Sequence, residues 1–398
     1  MNNYKVLFSL RVLKSIITSF IDSFLVLYFL DVSDNNILPL GIYKLVGVIT
    51  IYVVIFLCRN FAKSKHRANL MRIGIIFDLI YFITIILLRE KVVDYIYLIG
   101  LLYGLEEGFY YSVYNILESD GVTNDERAKF TGSYTAVKAI LSIIFPLFFG
   151  TLIYTTGFLK SVVIVTVIVV IRMVLSFIFK DKNIPESKKT NIKEFLELTK
   201  SKKKFMQMYL VEFFSGLTYS EGAFSYIVTI YIIKVFSNSF SLGVFTSVFS
   251  VITFLIGILF AKFIKRRHYT HVIEVSMTFT IISLFVMIFN CNAITIVLFN
   301  LFQTISRGLM DLINSNSQSN ISNEEKVRKE YKSEYWLANE TGLVAGRIIS
   351  NSIFILMAYI NSQTIIIVFA LFLILFAGNS IKLQDIIREE GQNEKQAK

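Results

Sequence analysis

The chain has 398 residues, 55% of them hydrophobic and only 17% charged, and its mean hydropathy is +0.62. A soluble domain carries roughly 25% charged residues, so the composition excludes that class. The formal net charge of +11 would suit a nucleic-acid partner. However, the basic residues sit in short loops between apolar runs, which marks membrane topology and not a basic face, so no nucleic acid is expected.

A spanning helix needs about 20 mostly apolar residues, and an ionisable side chain deep in a bilayer costs a few kcal/mol or more, which makes each one a functional candidate. Span one (6–30) places Arg11, Ser15, Thr18, Ser19 and Asp22 on one helical face. Asp22 lies too deep for its short carboxylate to reach water along its own helix. Span two (38–58) is followed by span three (69–88), whose central Asp78 calls for an unspecified partner. Span four (95–118) aligns Tyr103, Glu107, Tyr110, Tyr111, Tyr114 and Glu118 in a stripe. Aromatic rings around a carboxylate suit a cationic or amphipathic ligand; the alternative is an aromatic packing seam. Glu106 falls on a different, apolar face and is placed to pair with another helix.

Span five (131–155) carries Tyr134, Lys138 and Ser142, with Lys138 near enough to an edge to snorkel. In span six (159–179), Arg172 is about 10 Å from the cytoplasmic edge and within snorkelling reach. Span seven (205–233) contributes Glu212, Ser215, Gly216 and Tyr219, with Glu221 on another face nearer the middle. After spans eight (240–261) and nine (271–290), span ten (293–319) strings Asn300, Gln303, Thr304, Arg307, Asp311, Asn314 and Gln318 at helical spacing. So long a polar face cannot meet lipid, and Arg307 with Asp311 forms an i,i+4 pair. Span eleven (333–360) carries Trp336, Glu340 and Arg347 on one face, and span twelve (363–382) completes the set.

Loop charge orients these spans. Arg59, Lys63, Lys65 and Arg67 follow span two, and Lys262, Lys265, Arg266 and Arg267 follow span eight. The central segment 180–204 holds nine lysines against Asp181, Glu186, Glu194 and Glu197. The odd-numbered loops are neutral or acidic, as at Asp31, Asp34 and Asn290–Asn292. With Lys5, Arg11 and Lys14 at one end and Lys382 and Arg388 at the other, the positive-inside bias puts both termini and the central segment in the cytoplasm of a multi-pass cell-membrane protein. The first apolar run is too long for a signal-peptide core and lacks a small-residue cleavage site, so it is expected to be retained. Cys58 and Cys291 fall near opposite faces, which makes a disulfide between them unexpected.

The halves repeat at an offset of about 200 residues. Arg127–Tyr134 and Arg328–Tyr335 both read R-x-x-[F/Y]-x-x-x-Y and both open the following span. The basic stretch 63–67 corresponds to 262–267. With these features the chain resembles the major facilitator superfamily of secondary transporters over essentially its whole length. It departs from the family's local motifs. The loop at Asn60–Arg67 keeps basic residues without the usual Gly and Asp, Tyr103–Gly108 stands where the family has a span-four arginine, and Phe145–Gly150 only partly matches the span-five G-P-x-x-G-G motif. The resemblance implies that spans one, four, seven and ten line a central cavity, that two, five, eight and eleven flank it, and that the third helix of each group faces lipid.

The expectation is therefore an all-α membrane protein of about twelve transmembrane helices in two pseudo-symmetric six-helix bundles. Residues 1–179 and 205–383 form the bundles, 180–204 the cytoplasmic linker and 384–398 a tail. The function expected is secondary active transport of a small molecule by a monomer, coupled to protons and directed to export of an amphipathic or drug-like compound. Asp22, Glu107 and Glu221 are the candidate proton carriers, because deep burial favours the neutral form of a carboxylate. Tyr103, Tyr110, Tyr111, Tyr114, Tyr219, Gln303, Arg307, Asp311, Asn314, Glu340 and Arg347 are the candidate cavity residues. The rival reading is a transporter-shaped receptor or scaffold that does not transport. No phosphate-binding loop, no H-E-x-x-H and no intramembrane histidine occurs, so no cofactor, metal or enzymatic activity is expected.

Overall fold

The computed structural model describes residues 3–61, 67–121, 124–181, 191–200, 202–220, 222–236, 238–322, 327, 331–360 and 366–396. Its helices follow the twelve expected spans. The first is α1 (Asn3–Phe20), a π-helical turn (Ile21–Leu25) and α2 (Val26–Val32) in one continuous run. Then come α3 (Leu38–Cys58), α4 (Arg67–Leu88), α5 (Ile96–Gly121), α6 (Asn124–Thr156) and α7 (Phe158–Ile178). A short α8 (Ile192–Thr199) lies in the central segment. The seventh span is split into α9 (Lys203–Leu217) and α10 (Ala223–Phe236). The rest are α11 (Ser239–Phe263), α12 (Tyr269–Phe289), α13 (Ala293–Ser322), α14 (Lys332–Ile360) and α15 (Ile366–Gln396). Among the described residues, ten helical runs are long and apolar enough to cross a membrane; the other two traverses are α5, with its two adjacent glutamates, and the broken seventh span. α15 runs on through the stretch expected to be a tail.

The chain divides into two compact units, Met1–Lys189 with Phe236–Ser250, and Thr190–Val235 with Val251–Lys398. The division departs from the expected bundle boundaries at span eight, whose first turns belong to the first unit. The physical reason is a close backbone approach: a methyl group on Gly150 of α6 would lie 3.0 Å from the Cα of Gly243 in α11. Ser247 also donates to the Ile143 carbonyl at 2.6 Å. The second unit begins inside the expected linker because α8 docks there. Asn191 caps α8 by accepting from the Glu194 N–H, and Phe195 packs on Phe205, Tyr331 and Tyr335.

In the first unit, α5 sits against α3 through glycines at every fourth position. Methyl groups added at Gly100 and Gly108 would stand 2.8 Å from the Tyr43 carbonyl oxygen and 2.7 Å from Val54 Cβ. Small residues at i, i+4 and i+8 let two membrane helices approach backbone to backbone. Near the start of α4, Arg67 forms a bidentate pair with Asp181 at 2.9–3.1 Å, and Arg72 donates to the Ser176 and Phe179 carbonyls at the end of α7. These contacts hold α4 beside α7. The repeated motif supplies an aromatic contact in each unit, but from different positions: Phe130, its fourth residue, packs edge-on to Tyr4 and Phe8 of α1, whereas Tyr335, its eighth, packs edge-on to Phe205 of α9.

Candidate functional site

With its glycine face turned to α3, α5 presents Glu106 and Glu107 to the rest of the first unit. Both are buried. Lys14 of α1 reaches both oxygens of Glu106 at 2.7 Å and Glu107 at 2.8 Å. Arg172 of α7 lies 2.7 Å from Asp78 of α4 and 3.4 Å from Glu106, and its guanidinium stacks 4.4 Å above the Tyr110 ring. Four helices are thus joined by one buried ionic network.

This corrects the reading of Arg172 as a snorkelling residue. It is fully buried on the face of α7 that carries Val165, Val169 and Ser176, while Val167, Ile171 and Val174 on the opposite face are exposed. Distance along the helix allowed snorkelling; rotation about the axis forbids it. Asp78, left without a partner by sequence, is that partner. Loop charge groups Lys14 with the terminal basic residues, and sequence does not show its place as the ammonium between two glutamates. Its depth within an apolar run was the available signal.

The aromatic stripe of α5 divides. Tyr103 packs against Tyr43 and Tyr81. Tyr110 and Tyr114 stack with centroids 4.8 Å apart, and the Tyr114 hydroxyl donates to the Leu7 carbonyl. All three are buried in helix seams and not on an open wall, whereas Tyr111 is exposed. Asp22 is exposed and sits in the π-helical turn of the first span, a local widening that recurs at functional sites.

In the second unit the break in span seven organises the polar groups. Ser350 of α14 donates to the Leu217 carbonyl at the end of α9 and accepts from the Ala223 N–H at the start of α10. One hydroxyl therefore serves both broken helix ends, which otherwise leave buried backbone groups unmet. Arg347 adds two bonds to Ser220, at 2.8 Å to its carbonyl and 3.2 Å to its hydroxyl, and lies 3.5 Å from Glu340. The approach of α14 to α9 depends on Gly346, where a methyl group would collide with the Phe213 carbonyl. Glu221 lies outside the described residues.

Span ten also divides, into a buried and an exposed stripe. Asn300, Gln303 and Asn314 are buried, with Asn314 donating to Ser380. Tyr219 and Thr280 both meet the Ser306 hydroxyl, at 3.1 and 2.9 Å. Arg307 and Asp311 form the expected i,i+4 pair at 3.9 Å, with side chains 45% and 61% exposed. Half-buried Glu212 of α9 accepts from Gln318 at 3.0 Å. Thr280, eleven residues into α12, stands where Asp78 stands in α4. At this helix position the two units therefore differ in chemistry: a carboxylate in one, a hydroxyl in the other. Among the described residues, no group of three His, Cys, Asp or Glu side chains is placed to hold a metal ion.

The profile described as Major Facilitator Superfamily matches residues 63–328. The uncharacterized protein YqgE of Bacillus subtilis (strain 168) is 23% identical over 337 residues, covering 83% of this chain and 77% of that protein. Among solved structures, a bacterial homologue of the iron transporter ferroportin in its inward-facing state aligns with a TM-score of 0.66 at 13% identity, over 96% of this chain and 98% of that one. A bacterial homolog of the human lysosomal transporter Spinster, inward-facing and unoccupied, aligns with a TM-score of 0.63 at 14% identity over 98% of each chain. At such identities the likeness concerns the fold.

Proposed function

Because this chain belongs to the Major Facilitator Superfamily, and so to a family of membrane transporters, we propose that it moves a small molecule by alternating access of its two bundles, driven by protons. The proposed direction is export, and the proposed substrate class is amphipathic or drug-like. In this reading the chain works as a monomer in the cell membrane with both termini in the cytoplasm. Residues 1–179 and 205–383 are the proposed moving halves.

One observation carries the reading. Arg307 and Asp311 stand midway along a thirty-residue apolar helix, and both side chains are exposed. Charges at that depth are stable only where water or a polar ligand reaches them. A scaffold has no need of such a face. Arg307, Asp311 and Tyr111 are the proposed ligand contacts, with Glu340 and Arg347 supporting them at the break in span seven. Asp22, Glu107 and Glu221 are the proposed proton carriers.

The test uses the full chain in proteoliposomes with an imposed pH gradient and an amphipathic cationic dye as the transported probe. Asp22→Asn, Glu107→Gln and Glu221→Gln each remove a titratable group with little change of shape. At least one is expected to abolish gradient-driven dye movement while the protein stays folded in the bilayer. Full pH-dependent transport by all three variants overturns the coupling assignment.

A further inference from the structure

Five ionisable side chains from four helices meet inside the first unit, far more charge than helix packing requires. Arg172 Nη1 lies 2.7 Å from Asp78 Oδ2 and 3.4 Å from Glu106 Oε1, so two carboxylates converge on one nitrogen. Lys14 Nζ lies 2.7 Å from Glu106 Oε2 and 2.8 Å from Glu107 Oε1, so two converge on one ammonium. Three carboxylates share two cations. No side chain of the five is more than 5% exposed. Asp78 Oδ1 is buried without a hydrogen-bond partner among the described residues, as are Arg172 Nε and Nη2.

The surroundings supply rings and hydroxyls. From α1, the Arg11 guanidinium lies 3.9 Å over the Tyr134 ring of α6. From α3, Tyr43 shares a 3.0 Å hydroxyl contact with Tyr81 of α4, and Lys44 sits 5.3 Å from the Tyr103 ring centroid. Carboxylates crowded onto a shared site disfavour full ionisation of all members, and exclusion of water acts in the same direction. The five groups alone carry one negative charge in excess, which a single proton cancels. In the second unit, Thr280 holds the helix position equivalent to that of Asp78, and there the hydroxyls of Thr280, Ser306 and Tyr219 meet.

We propose that this cluster is a proton-binding site in the core of the first unit, with one proton shared among Asp78, Glu106 and Glu107 against Arg172 and Lys14. Its use in transport rests on the coupling reading above, in which Glu107 was the only member named. The cluster shares no residue with the exposed charges of span ten. It involves Asp78 and Arg172 on spans three and six, the helices that the family resemblance assigns to lipid.

Infrared difference spectroscopy of the full chain in lipid, between alkaline and acid pH, reads protonated carboxyl groups directly and needs no substrate. The expected result is a protonated-carboxyl band that persists at neutral pH. It should shift in Asp78→Glu and in Glu107→Asp, which keep the charge, and weaken in Glu106→Gln. Asp385→Asn, at an exposed position on α15, should leave it unchanged. Absence of a protonated-carboxyl band at neutral pH overturns the proposal, as does a band that none of the three cluster variants alters. A cluster-dependent band together with pH-independent transport keeps the site and refutes the coupling reading. Proton-driven transport without such a band does the reverse.

Discussion

Removing Arg172 tests the buried network most directly. Arg172→Gln leaves Asp78 Oδ2 without its 2.7 Å partner and takes the second cation from Glu106, which keeps Lys14. Breaking a buried pair from one side costs about 3–5 kcal/mol, because the remaining charge is stranded in low dielectric. With Asp78 only 1% exposed and deep in the bilayer, the upper part of that range applies. Asp78→Asn is gentler, because Arg172 keeps Glu106 at 3.4 Å and the Tyr110 ring beneath it. The double variant removes both charges and should be less destabilised than the sum of the singles by at least about 1.5 kcal/mol, well beyond the ~0.5 kcal/mol scatter of independent sites. Equilibrium unfolding of the four proteins in mixed micelles, followed by Trp336 and tyrosine fluorescence, gives the cycle. Additive effects would show that Asp78 and Arg172 do not pair in the membrane, and the network would fall with them.

Ser350→Ala leaves the Leu217 carbonyl and the Ala223 N–H unmet at the break in span seven, and each buried orphan costs about 1–3 kcal/mol; the same unfolding assay should show a loss of about 2–6 kcal/mol for the two together, and an unchanged midpoint would mean that the break is not held by span eleven. Arg307→Gln should behave oppositely, since an exposed pair at 3.9 Å contributes about 0–1 kcal/mol: dye transport should fall at least tenfold with the unfolding midpoint nearly unmoved, and a large stability loss would relegate the pair to a structural role. Topology is testable with the native cysteines, one buried at the end of span two and one exposed between spans nine and ten. In intact cells an impermeant maleimide should label the exposed Cys291, and labelling of Cys291 only after the membrane is permeabilised would reverse the orientation.

Depth along each helix was legible in the amino-acid order; rotation and partnership were not. The run 38–58 becomes Leu38–Cys58, and most other spans begin and end within several residues of their expected limits, the last helix running on to Gln396 beyond its apolar part, because the length of an apolar run must match the bilayer whatever surrounds it. The repeated R-x-x-[F/Y]-x-x-x-Y segments each place a ring in a helix seam, at Phe130 in one unit and at Tyr335 in the other, although these are different positions of the motif. The Arg307–Asp311 contact was also readable, since i,i+4 neighbours are fixed by the helix itself. Arg172 was not, because valine and isoleucine occur on every side of α7 and the small hydroxyls of Ser161 and Ser176 are the weak polar marks of its buried face. Its pairing with Asp78 spans 94 residues and exists only once α4 packs beside α7. The split of span seven stayed hidden for a similar reason. Gly216, Thr218, Ser220 and Gly222 weaken the helix there, yet the chain opens because Ser350 and Arg347, more than 120 residues away, satisfy the freed backbone groups. A helix supplies its own neighbours at three and four residues. Tertiary packing alone decides which distant side chain makes a buried charge or an open turn tolerable in lipid.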